Sequence, residues 1–148
     1  VDEFDQLTPE PWDQVNKINV RGPFFFMQKA ARLMMAGDGG VIINIIDESV
    51  VKPALIWIHH GASKAALWNI TRSGSIALAP KIRVNAVLPG AVLKPPDYSD
   101  EQWDGLIPNI PLRKLGSAED VCQAVEYIIH ADFVTGQMIV VDGGATVL

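Results

Sequence analysis

A single cysteine, Cys122, stands among the 148 residues. One thiol cannot close an internal disulfide, so a disulfide scaffold is excluded. Its segment, "AEDVCQAVEYII", reads as a helix in which the thiol is buried and inert. Positive charge is scarce: 12 Lys and Arg stand against 17 Asp and Glu, for a net charge of -5. The basic residues are scattered, which argues against a nucleic-acid partner. No apolar run approaches the roughly 20 residues of a membrane span. No secretory signal opens the sequence, which predicts a cytoplasmic protein. No His/Cys cluster suggests a metal site. There is no Gly-x-Gly-x-x-Gly after a strand and no Gly-Lys-Ser/Thr, so neither common phosphate-binding loop is present. "GDGG" at 37–40 follows a helix and reads as its cap and turn.

What is abundant is apolar. Hydrophobic residues make up 49% of the chain, and the mean hydropathy is +0.19, which excludes a disordered chain. The length suits one domain with a real core. Thr8-Pro9 opens a helix with a hydroxyl at the cap and proline in the first turn. "WDQVNKINV" follows with mixed spacing, and a second helix runs from Gly22 to Met35 until Gly37 ends it. "VIINII" (Val41–Ile46) is a β-branched run that predicts a strand buried on both faces. After a loop, "DESVVKPALIW", a long helix spans about His59–Leu78. "IRVNAVLPG" (Ile82–Gly90) predicts the second strand. Ser99 and Gln102 form a capping box for a short helix holding Trp103, and Ser117 with Asp120 starts another through about His130. "QMIVV" (Gln137–Val141) predicts the last strand.

Strands alternating with helices predict an α/β fold: a parallel sheet covered by helices on both faces. Ligands in such sheets sit beyond the carboxyl ends of the strands. That singles out Asp47-Glu48, Pro89-Gly90 and Asp142-Gly143-Gly144.

Several stretches taken together resemble one family. "GASKAALWNITRSGSIALAPKIRVNAVLPG", "WDQVNKINVRGPFFFMQKA", "GGVIINI", "PLRKLGSAEDV" and "TGQMIVVDGG" are similar, in order, to the later segments of short-chain dehydrogenases/reductases. The resemblance covers nearly all 148 residues. It implies a single, incomplete domain over 1–148: the C-terminal portion of a Rossmann-like doubly wound sheet, without the family's first strands and Gly-rich turn. It also implies an NAD(P)-dependent oxidoreductase, using NADP or NAD, that moves hydride to or from a carbonyl or imine carbon of a small-molecule substrate. Only the nicotinamide end of the cofactor would meet this chain, and the chain alone is expected to be inactive.

The family's catalytic set is Asn, Ser, Tyr and Lys. The matching positions here are Asn19, Asp47, His60 and Lys64, so two are kept and two are changed. In the family the Tyr hydroxyl exchanges a proton with the substrate. The Lys supports the Tyr and holds the nicotinamide ribose, the Ser positions the carbonyl, and the Asn holds a water. Positions i and i+4 share a helix face, so His60 and Lys64 are expected in one cleft. Asp47 resembles the aspartate that pteridine reductases carry at the Ser position. That branch suggests a pteridine-like substrate, because a carboxylate accepts from ring N–H donors. His60 departs further. Imidazole is shorter than a phenol, and the Lys64 charge one turn away is expected to make it a poorer proton donor.

Pro89, Gly90 and Val92 match the cofactor-side loop, where Lys94 replaces a Thr and reads as a solvated loop residue. Trp57 and Trp103 fall in segments that border the substrate pocket in the family. Trp12, Phe24, Phe25, Phe26 and Trp68 read as core or interface, and a homo-oligomer (dimer or tetramer) is implied. His59 reads as solvent-facing. The alternative is a non-catalytic, degenerate member that serves as an oligomerisation or binding module.

Overall fold

The computed structural model describes residues 4–53 and 56–148. The Asp47–Trp57 loop reading includes Ala54 and Leu55, which lie outside the described residues. Helix α1 (Pro9–Asn16) starts at Thr8, which caps it through backbone geometry without a side-chain bond. The two helices expected over Pro9–Met35 are one helical run. A π turn, Lys17–Arg21, joins α1 to α2 (Gly22–Ala36). Pro23 accounts for the widening. It offers no N–H to the carbonyl four residues back, that of Asn19, and its ring crowds that carbonyl. The Gly22 N–H reaches the Lys17 carbonyl instead, five residues back. Such π turns re-aim side chains and are frequent at functional sites. Asn19 sits in this one.

Strand β1 (Gly40–Ile45) is followed by α3 (Ile58–Ala77), then β2 (Ile82–Pro89), the short α4 (Asp100–Asp104), α5 (Ala118–His130) and β3 (Met138–Val141). The sheet is parallel with order β1-β2-β3. Both capping boxes form: the Ser99 and Ser117 hydroxyls each meet the backbone N–H three residues on, and Gln102 and Asp120 reach back. Gly39 makes the entry to β1 at φ 91°, where a Cβ would lie 2.1 Å from the Lys81 carbonyl oxygen.

β2 is the central strand, and its two faces meet different helices. Ile82 and Val84 pack with Met27 and Ala31 of α2, and Ala86 and Leu88 pack with Leu67 of α3. On the opposite face, the Arg83 guanidinium donates to the carbonyls of Ile128 (2.8 Å) and Ile129 (2.8 Å) at the end of α5. A cation there complements the negative end of the helix. The doubly wound α/β architecture is therefore the observed one.

Three burial expectations are corrected. β1 pairs on one side only among the described residues, so Ile45 at its end is 45% exposed and the strand is not buried on both faces. His59 is 3% exposed rather than solvent-facing. It begins the stripe His59, Ser63, Leu67, Thr71, Ser75, all buried, at the four-residue spacing that lines one helix face. Cys122 is exposed. The inward stripe of α5 is Val121, Ala124, Val125 and Ile128, and Cys122 falls outside it. Of the residues read as core or interface, Trp68 packs against the core, while Trp12, Phe24, Phe25 and Phe26 are exposed, which leaves the interface half of that reading for them.

Candidate active site

Four segments converge at the carboxyl end of β1. The chain leaves the strand at Ile45, and Asp47 caps a 3-10 turn over Glu48–Val50. Asp47 Oδ1 accepts from the Ser49 amide at 2.9 Å and from the Ser49 hydroxyl. This holds the carboxylate in one orientation, with Oδ2 paired to His60 Nε2 in the first turn of α3. From the π turn, Asn19 Nδ2 donates to Ser63 Oγ at 3.0 Å and lies 3.4 Å from His60 Nδ1. Ser63 Oγ in turn donates to the His60 carbonyl at 2.6 Å. One turn beyond His60, Lys64 Nζ donates to the Ile45 carbonyl at 3.1 Å.

Asn19, Asp47, His60 and Lys64 thus stand together, as their positions predict. Their pairing differs from expectation. The charged group against the His60 ring is Asp47, while the Lys64 ammonium lies on the strand-end carbonyl. Burial pushes the Asp47 carboxyl up. The Ser49 hydroxyl, the His60 ring and the Ser49 amide outweigh that and hold it below its ordinary value. Asp47 is therefore an ionised acceptor at neutral pH.

Two residues of the cluster escape sequence reading. Ser63 is fully buried and ties α3 to the π turn. A hydroxyl on the inward stripe of a helix must find partners, which was the available signal. Ser49 orients Asp47 through an Asp-x-Ser turn, a spacing that favours side-chain to backbone bonding.

The remaining candidates lie apart. Trp57 begins α3 in a left-handed backbone conformation (φ 63°), is 56% exposed, and has its ring 6.3 Å from that of His59. This bulky residue seldom adopts that conformation. Trp103 is half-buried on α4, in the segment after β2. Pro89 and Gly90 end β2 beside β3, where the Gly90 amide donates to the Val141 carbonyl at 3.0 Å. A Cβ on Gly90 would come within 2.8 Å of the Asp142 Cβ, so glycine lets the two strand ends close up. Val92 joins Leu112, Gly116, Asp142 and Gly143 around a cavity of about 430 Å³. Lys94 is engaged by Asp100 at 2.5 Å, and that bond lowers the Asp100 carboxyl. No group of metal-binding side chains forms among the described residues, and no described helix is long and apolar enough to cross a membrane.

Comparison with known proteins places this geometry. A family model described as enoyl-(acyl carrier protein) reductase matches residues 2–146. An uncharacterized oxidoreductase of Thermotoga maritima is 32% identical, over 97% of this chain and 61% of its own length. The L-rhamnose 1-dehydrogenase (NAD(P)(+)) of Azotobacter vinelandii is 36% identical, over 85% of this chain and 52% of its own. Among solved structures, FolM alternative dihydrofolate reductase 1 from Brucella canis, complexed with NADP, superposes with a TM-score of 0.93 at 31% identity. That match covers 99% of this chain and 59% of the FolM chain. The chain therefore spans somewhat over half the length of the relatives it matches.

Proposed function

The chain belongs to the short-chain dehydrogenase/reductase family, and from that premise we propose that it serves an NAD(P)-dependent oxidoreductase acting on a small carbonyl or imine substrate. The observation that carries this reading is the bonded set Asp47, His60 and Asn19 at the carboxyl end of a parallel strand, with Lys64 held on that strand's last carbonyl. When bound, the nicotinamide supplies or accepts hydride at its C4.

The donor chemistry of the cluster suits that end of the cofactor. An ammonium has three N–H donors. Lys64 gives one to the Ile45 carbonyl, which leaves donors for ribose hydroxyls. Asp47 and His60 hold one proton between them beside the reacting centre. The ionised carboxylate can take an O–H proton or orient an N–H. Such an acceptor favours nitrogen heterocycles with adjacent N–H groups, and a pteridine-like ring is the substrate class we favour. The resemblance to FolM, an alternative dihydrofolate reductase, supports that choice. Trp57, exposed at the lip of α3, and Trp103 on α4 are proposed substrate contacts. Pro89, Gly90 and Val92 are the proposed wall on the cofactor side.

Reduced nicotinamide mononucleotide tests the reading on this chain, because it carries only the nicotinamide end. Titration should quench tryptophan fluorescence saturably in the millimolar range. Lys64→Met should weaken the apparent affinity about tenfold, the loss of roughly one charge-assisted bond. No saturable quenching, or an unchanged affinity in Lys64→Met, would contradict it.

A homo-oligomer is also proposed. Phe26 is 76% exposed and Leu33 is 78% exposed, two turns apart on one face of α2. Large apolar side chains grouped in this way mark interaction surfaces. Light scattering should give a multiple of the 16.1 kDa chain, and Phe26→Asp should reduce it to the monomer. The same exposed face is what favours the second reading, a non-catalytic binding module, and cofactor titration separates the two.

A further inference from the structure

The hydrogen-bond chain around His60 determines where its ring proton lies. Ser63 Oγ stands 2.6 Å from the His60 carbonyl oxygen. A carbonyl has no proton to give, so the proton in that bond is Ser63's. A hydroxyl carries only one proton, so Ser63 Oγ must act as acceptor toward Asn19. The Asn19 amide is therefore oriented with its NH2 toward Ser63, at 3.0 Å, since the reverse orientation would set two acceptors face to face. The same Nδ2 lies 3.4 Å from His60 Nδ1. A donor faces Nδ1, which must present its lone pair. In a neutral imidazole the proton is then on Nε2, and Nε2 faces the Asp47 carboxylate.

We infer that Asn19 and Ser63 are positioning residues that hold neutral His60 in its Nε2–H tautomer, aimed at Asp47. Neither needs to touch substrate to do this. Ser63 sets the amide, the amide sets the ring, and the ring donates its Nε2–H to Asp47 Oδ2 in a hydrogen bond. The consequence is directional. With Nδ1 taken by the Asn19 amide and Nε2 by Asp47, the acceptor that the pair leaves open to the cleft is the Asp47 carboxylate. A substrate that brings its own N–H or O–H proton fits such a pair better than a neutral carbonyl needing one. The catalytic meaning of the lock rests on the oxidoreductase reading, but its geometry does not.

The test is the tautomer itself. The chain has 3 histidines. Label them with 15N and record long-range proton–nitrogen correlations at about pH 8.5, above the ordinary histidine range near 6.5. His60 should show a pyrrole-like Nε2 and a pyridine-like Nδ1. Asn19→Asp replaces the donor with an acceptor of nearly the same shape while Asp47 still accepts from Nε2, so Nδ1 should lose its pyridine-like signature and both nitrogens should carry protons. Ser63→Ala frees the amide to turn its oxygen toward the ring, and should shift Nδ1 away from its pyridine-like position while Nε2 stays on Asp47. His130, at the far end of α5, is the internal reference and should not move. A parent ring protonated on Nδ1, or an unchanged pattern in both variants, would overturn the inference. The parent spectrum decides even where a variant fails to fold. A locked His60 in a chain that binds no nicotinamide would leave the lock standing and remove the oxidoreductase reading. Nicotinamide binding with His60 protonated on Nδ1 would do the reverse.

Discussion

Asp47→Ala is expected to lower turnover by about 10²–10⁴-fold, the usual effect of removing a positioned acid–base group. The reasoning is structural as well as chemical. Asp47 accepts from the Ser49 amide, the Ser49 hydroxyl and His60. Without it, His60 loses the partner that holds its proton, and the cleft loses its only ionised acceptor in the cluster. Asp47→Asn keeps the size but cannot carry the charge, so it should lose nearly as much. The loss should fall on kcat more than on KM, because the charge matters most as the proton moves. Coupled oxidation of NADPH by this chain joined to a relative's cofactor-binding N-terminal half, compared across the parent and both variants, measures it. A loss under about tenfold, worth about 1.4 kcal/mol, would show that the proton takes another path.

The largest stability effect is expected at Asn85, a position that touches none of the proposed chemistry. Asn85 is fully buried in the central strand. Its Nδ2 donates to the Val134 carbonyl at 2.9 Å, and its Oδ1 accepts from the Gln137 amide at 3.0 Å. These bonds fasten the turn between α5 and β3 to the middle of the sheet. That turn places β3, and with it the Asp142 end that closes against Gly90. Asn85→Ala removes both bonds and strands the Gln137 N–H, while Val134 keeps the Arg83 guanidinium at 3.2 Å. Each hydrogen bond lost costs about 0.5–1.5 kcal/mol. With the lost packing, the variant should be destabilised by about 2–4 kcal/mol. Urea unfolding followed by tryptophan fluorescence should show a lower midpoint at an unchanged slope. A change below about 0.5 kcal/mol, the size of an ordinary surface substitution, would mean that the turn is held by other contacts.

Much of the fold was legible because local signals agreed with each other. The Ser99 and Ser117 boxes, the β-branched runs of β1 and β2, and glycine after α2 each name an element edge through a single mechanism. The misreadings share a cause: they depend on which neighbour covers a residue. The exposure of Ile45 follows from β1 having a strand on one side only among the described residues, which no property of "VIINII" reveals. The burial of His59 was readable in principle from its four-residue spacing to Ser63 and Leu67. A pair of adjacent histidines at the start of a helix obscured it. Cys122 was placed by residue type, when its position relative to Val121, Val125 and Ile128 decides its exposure.

The site shows the same division. Its four members could be aligned from the family resemblance, and the i, i+4 rule put His60 beside Lys64. The pairing of His60 with Asp47 is set by the 3-10 turn and by Ser49, which fold the loop back onto α3. The aim of Asn19 is set by a π turn whose cause, Pro23, lies four residues further on. Both are tertiary consequences of short local features. Sequence spacing names the members of such a cluster without giving the hydrogen bonds between them.

The claim that this cluster handles hydride chemistry is tested most directly by deuterium transfer. This chain, joined to a relative's cofactor-binding N-terminal half, is incubated with NADPH deuterated at the nicotinamide C4 and with a panel of small carbonyls, cyclic imines and a dihydropterin, and the products are read by mass spectrometry. The account predicts deuterium at the reduced carbon, imine or pterin substrates favoured over simple ketones, and loss of the label in Asp47→Ala. Saturable nicotinamide binding with no deuterium in any product would contradict it, and would leave the chain a binding module built on an oxidoreductase fold.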